Sequence, residues 1–190
     1  MSIFAPPPWR PESQYRAPPW LGPPEDVLPG VVPVELLMAR TQDRAVLFTH
    51  ILAYPTGFGF TLSVRRRHDL PQDVPQQRPR FGDVDDPDEF WEYDLRFGVE
   101  FADGRTATNH TPRPPDFEVQ EPDSPTLTMT HGDGGNGVRN LHQWVWGLPP
   151  PGPLVFVCDW PARQTAESRQ VDAQLVLEAA ERAVTLWPAG

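Results

Sequence analysis

Proline is the residue that most limits what this chain can become: it occupies 26 of 190 positions. Proline fixes φ and lacks a backbone N–H, which bars it from helix interiors and from interior strands. Ten of the prolines fall within residues 1–33, where "PPW" occurs at 7–9 and again at 18–20. Such a segment favours extended polyproline II backbone. Residues 1–28 are therefore expected to form a proline-rich arm with Trp9 and Trp20 as anchors, and residues 29–190 a single domain. The stretches 68–94 and beyond residue 110 are again polar and proline-rich. They read as long connections, the first enclosing one short helix at "DDPDEFWEYD", with Asp86 as N-cap and Glu89 closing a capping box.

Between the proline-rich stretches the pattern is that of strands. "VVPVELLMAR" and "RAVLFTHILA" are apolar and β-branched, with a polar turn at Thr41–Arg44. "YPTG" has Pro and Gly at the second and fourth positions of a type I turn. Phe58, Phe60, Leu62 and Val64 alternate with small or polar residues, as do Leu95, Phe97, Val99 and Phe101. A period of two with one apolar face means a half-buried strand. "ADGR" offers an Asp-Gly hairpin turn, with "RTATN" returning. A short strand "TLTMT", the loop "HGDGGNG" and the strand "VRNLHQWVW" follow. "PLVFVCDW" is the last strand, expected to pair with "VRNLHQWVW" across the stiff link "GLPPPGP". Residues 172–187 read as an amphipathic helix capped by Asp172, with Leu175, Ala179, Ala183 and Leu186 or Trp187 as its apolar stripe. The fold class expected is mainly β: an antiparallel β-sandwich, immunoglobulin-like or jelly-roll-like, carrying one C-terminal helix.

Composition narrows the chemistry. Leu, Ile, Val and Phe make up 45 of 190 residues, enough for a core and above the range typical of disorder. There is no lysine, so the phosphate-binding Lys of a P-loop and the amine of a Schiff-base enzyme are both impossible. A net charge of −10 opposes binding to a nucleic-acid backbone. One cysteine cannot make an internal disulfide or a multi-thiolate zinc site. The N-terminus lacks the apolar run of a signal peptide and no span approaches 18 apolar residues, so a cytoplasmic protein with no membrane contact is expected.

Candidate sites are few. Cys158 sits on an apolar strand face, where a thiol is usually inert packing. "GDGGNG" at 132–137 formally matches a dinucleotide fingerprint, but a strand rather than a helix follows it, which favours a flexible hairpin loop. His131 before those glycines resembles an esterase oxyanion loop, yet no G-x-S-x-G nucleophile elbow exists. Asp133 and Asn136 lack the spaced carboxylates of a calcium site. The five histidines show no zinc-protease spacing, although His142 shares a strand face with Trp144 and Trp146. Seven carboxylates between Asp83 and Asp94 could dock Arg65, Arg66 and Arg67, in this molecule or in a partner.

The segments "YPTGFGFTL", "LRFGVEFADGRTATN", "WVWGLPPPGPLVFVCDWPA" and "DAQLVLEAAERAVTLWP" together resemble a family of uncharacterised actinobacterial proteins. The resemblance covers most of residues 30–188 and implies a bacterial cytoplasmic protein rich in Arg and poor in Lys. It carries no catalytic residues to transfer.

The expected function is therefore that of a non-enzymatic binding or structural module, without a cofactor or metal. It would contact a protein partner or a second copy through Trp9, Trp20, Arg65, Arg66, Arg67, Trp144 and Trp146. The alternatives are a small-molecule or carbohydrate binder using a Trp-lined face, and an enzyme built around Cys158 and His142.

Overall fold

The computed structural model describes residues 17–67, 95–112 and 120–187. Trp9, the short helix expected near residue 86 and the acidic run at 83–94 lie outside those residues. The described chain forms twelve strands and one helix. The first five strands are β1 (Val27–Leu28), β2 (Gly30–Val31), β3 (Leu36–Arg40), β4 (Arg44–Tyr54) and β5 (Gly57–Arg66). Next come β6 (Arg96–Glu100), β7 (Thr106–Thr108), β8 (Thr126–Gly135), β9 (Val138–Trp146) and β10 (Pro153–Trp160). A 3-10 turn at Pro161–Arg163 leads to β11 (Thr165–Asp172), α1 (Gln174–Glu181) and β12 (Val184–Thr185). The molecule is thus mainly β, and every strand pair is antiparallel.

Six strands form one open sheet in the order β2-β4-β5-β9-β8, with β3 also paired to β4. Four form a second in the order β11-β10-β6-β7, and β1 with β12 makes a short ribbon. The two larger sheets meet through their aromatic faces. Phe156 of β10 lies 5.8 Å from Phe48 of β4, 6.4 Å from Phe58 and 5.7 Å from Phe60 of β5, all edge to face. Such geometry is worth about 0.5–1.5 kcal/mol per pair beyond the area buried. The alternation read in β5, β6 and β10 points inward as expected: Phe58, Phe60, Leu62, Val64, Leu95, Phe97, Val99, Phe101, Leu154, Phe156, Cys158 and Trp160 are all buried.

Five expectations need correction. β9 and β10 are not paired: β9 lies between β5 and β8, whereas β10 lies between β6 and β11. The reason is in the link, where Pro149, Pro150, Pro151 and Pro153 supply no N–H and resist a tight turn. Gly147 and Gly152, with φ of 89° and 127°, re-aim the chain at each end so that it crosses between layers. The helix is also shorter than 172–187. Asp172 Oδ1 accepts the Gln174 N–H at its start, and Val176, Ala179 and Ala180 form the buried face with Ala173. Leu186 and Trp187 are exposed beyond its end, because β-branched Val184 and Thr185 are taken into the ribbon opposite Leu28 and Val27.

The glycine-rich stretch is not a loose loop. β8 continues through Gly135, and only Asn136 and Gly137 turn, with φ of 52° and 79°. Positive φ at both central positions is the type I′ hairpin that Asn-Gly favours. Finally, residues 17–28 of the expected arm are packed: Trp20 is buried, Asp26 O accepts the Leu186 N–H, and Val27–Leu28 pair with β12. At "ADGR" only Gly104 takes positive φ, at 83°, so that hairpin closes with one left-handed residue rather than two.

Candidate functional site

The six-stranded sheet has a second face, turned away from the four-stranded sheet. Register places Gly57, Gly59, Thr61 and Ser63 of β5 on it, opposite Trp146, Trp144, His142 and Asn140 of β9. The two ends of this face differ. At one end the Trp144 ring lies over Gly57, where an added Cβ would come within 3.0 Å of its ring carbons. Tyr54 meets Trp144 edge-on at 5.4 Å, Trp20 meets Trp146 at 6.3 Å, and Trp144 Nε1 donates to Pro19 O. Trp144 is fully buried and Trp20 nearly so, while Trp146 is half-buried. The indoles expected to present a flat face to a ligand or partner are largely spent on each other.

At the other end polar groups converge. The Asn-Gly turn sets His131 opposite His142 and Asp133 opposite Asn140. The two imidazoles stack at 3.9 Å with planes 10° apart. His142 Nε2 lies 2.7 Å from Asp133 Oδ2, and Asn140 donates to Asp133 Oδ1. These two bonds, His142 first, hold the Asp133 carboxyl below the usual range against a small desolvation effect. His142 Nδ1 in turn sits 3.2 Å from Thr61 Oγ1 in the middle of the sheet, and His131 Nδ1 sits 3.2 Å from Thr130 Oγ1. A register shift between Met129 and His131 accommodates Thr130.

The remaining expected residues are dispersed. Arg65 and Arg67 are exposed and Arg66 half-buried, and their suggested acidic partners lie outside the described residues. Cys158 is buried in the other sheet and lines a pocket of about 480 Å³ together with Arg96, Asp159, Glu167 and His110. Burial, then the charges of Asp159 and Glu167, push its thiol up to about 12. A nucleophilic cysteine needs the opposite shift. Structure does not bring Cys158 and His142 together: they belong to different sheets.

Two features escaped the sequence reading. One is the His131–Asp133–His142 group, whose signal was present: Asn-Gly is the strongest short hairpin cue, and counting back from it pairs 131 with 142. The other is an apolar surface. Leu28, Val31, Val184, Leu186 and Trp187 are exposed on and beside the ribbon. The Leu186 N–H bond to Asp26 O and the Arg182 bond to Val31 O draw both chain segments together there. No protein-family model, curated protein or solved structure matches the chain. Among the described residues, no helix is long and apolar enough to cross a membrane.

Proposed function

We propose that the protein is a non-enzymatic module that docks a protein partner through the apolar surface around β1 and β12. The observation that carries this is the concentration of exposed apolar side chains: five of the seven large ones among the described residues lie at positions 28–31 and 184–187, with Trp187 at 73% exposure. A clustered apolar patch on an otherwise polar surface marks a binding site, and Trp is the side chain that most often anchors one. The net charge of −10 disfavours a second copy as occupant and favours a basic partner that presents an apolar segment.

The scaffold for this module is read as a β-sandwich, supported by the Phe156 contacts between the two sheets. The chain crosses between layers at β5–β6, β7–β8 and β9–β10, which fits the Greek-key connections shared by immunoglobulin-like and jelly-roll-like sandwiches. Cytoplasmic residence fits the same picture, as a partner-binding protein without a membrane-crossing helix among its described residues.

A photo-crosslinking amino acid at position 187, activated in cells that make the protein, tests the proposal. The expected product is a heteromeric adduct with a basic protein, lost in a chain that also carries Leu28→Ser and Val184→Ser. An adduct only between copies of this chain, or none, overturns it.

A further inference from the structure

We propose that His131, Asp133 and His142 form a binding site for a divalent transition-metal ion, zinc by the chemistry of its donors. One ligand atom from each residue lies within 4.8 Å of the other two. An ion with bonds of about 2.0–2.2 Å holds tetrahedral ligands roughly 3.4 Å apart, so the widest of these separations has to close, while the 2.7 Å His142–Asp133 hydrogen bond has to open to admit the ion. An ion lies in the plane of each imidazole that binds it, so the exposed His131 ring must turn out of its 3.9 Å parallel stack on His142, and the exposed Asp133 carboxylate must exchange its His142 bond for the ion. Two imidazoles and a carboxylate suit zinc, cobalt, nickel or copper; calcium and magnesium prefer all-oxygen sets.

The supporting bonds are those a metal centre requires. A ligating histidine is oriented by a partner on its other ring nitrogen, and a ligating carboxylate by a hydrogen-bond donor. His142 has Thr61, His131 has Thr130 and Asp133 has Asn140. Thr61 is buried at the centre of the sheet, so His142 is tied to the rigid part of the fold. With no ion, the Nε2–H of His142 donates to Asp133 and Nδ1 accepts from the Thr61 hydroxyl. With an ion, the proton moves to Nδ1, which then donates to Thr61 Oγ1 and frees the Nε2 lone pair for the metal. The type I′ turn fixes the cross-strand register that makes the three residues neighbours. The site lies on a sheet face rather than on the ribbon, and it stands or falls separately from the docking surface.

The test uses the full chain freed of metal, titrated at neutral pH with Zn²⁺ by calorimetry and with Co²⁺ by visible absorption. One ion per chain is expected, with a higher thermal midpoint in Zn²⁺. His131→Ala and Asp133→Asn, both exposed and each checked for an unchanged circular dichroism spectrum, should weaken binding at least about tenfold. Thr61→Val, which touches no ion, should weaken it by about tenfold through loss of orientation. His50→Gln and His110→Gln should bind as the parent does. Absence of saturable binding overturns the assignment. So does binding that His131→Ala and Asp133→Asn leave intact, or that His110→Gln removes.

Discussion

On β9, Leu141, Gln143 and Val145 face the four-stranded sheet, whereas Asn140, His142 and Trp144 face away from it. Both faces come from the same alternation. The inner face is covered by another sheet, whose Phe156 wedges between Phe48, Phe58 and Phe60. Among the described residues, the outer face is covered at the Trp144 end by Pro19 and Trp20, from a segment ahead of the first strand. At its other end the His131 and Asp133 side chains are exposed and His142 is half-buried. The difference teaches that burial here follows what packs on a face, not how apolar the strand itself is. Thr61 and Ser63 are buried and Met129 is 56% exposed.

Substitutions can break this comparison or sharpen it. The largest effect is expected from Phe156→Ala on the inner face, at about 3–5 kcal/mol, because a fully buried ring leaves a cavity that two sheets cannot close. Urea unfolding of the variant measures it, and a loss below about 1 kcal/mol would mean the inner face is not the main core. Trp20→Ala removes the outer cover. Its expected cost is about 1.5–3 kcal/mol, the scale of exposing one large apolar side chain, accompanied by a change in Trp emission as Trp146 becomes wet. A cost equal to that of Phe156→Ala would make the outer cluster a second core. No cost at all would make it a loose covering.

The smallest effect is expected at the rim. Asp43, in the β3–β4 turn, accepts bonds from Thr41 and from Arg163 of the turn after β10, and so ties one sheet to the other. Burial works to raise its pKa, but the Thr41 hydroxyl, Arg163 and Arg44 together bring it below the ordinary 3.8. A carboxylate with a lowered folded pKa stabilises fully above its unfolded pKa and loses that contribution as pH falls through the folded one. Asp43→Asn should therefore cost less than about 1 kcal/mol at neutral pH. The gap between parent and variant urea midpoints should shrink below pH 4 or so. A gap that widens in acid would refute the ion-pair account.

Much of the fold was legible because it is local. Phe58 to Val64, Leu95 to Phe101 and Leu154 to Trp160 carry period-two patterns that need no partner to be read. The β3–β4 turn at Thr41–Arg44 and the return of "RTATN" after Asp103–Gly104 were equally visible. The candidate metal group was half legible. Alternation puts His142 on the Trp144 face, but the run of glycines after His131 has the composition of a slack loop, which masks the hairpin register. The apolar ribbon was illegible, since Leu186 and Trp187 continue a helical spacing and only pairing with Val27–Leu28 removes them from it.

By itself the sequence determined the strand character of its apolar stretches, the impossibility of lysine chemistry and the placing of Cys158 on a buried apolar strand face. Each of these depends on residue type or on spacing within a few positions. Tertiary structure alone decided that β9 and β10 part into different sheets, that Trp20 returns to cover Trp146, and that two histidines and a carboxylate meet. Those outcomes depend on which distant segments share a layer, and that choice belongs to the packing of the whole chain, where side chains far apart in sequence compete for the same apolar surface.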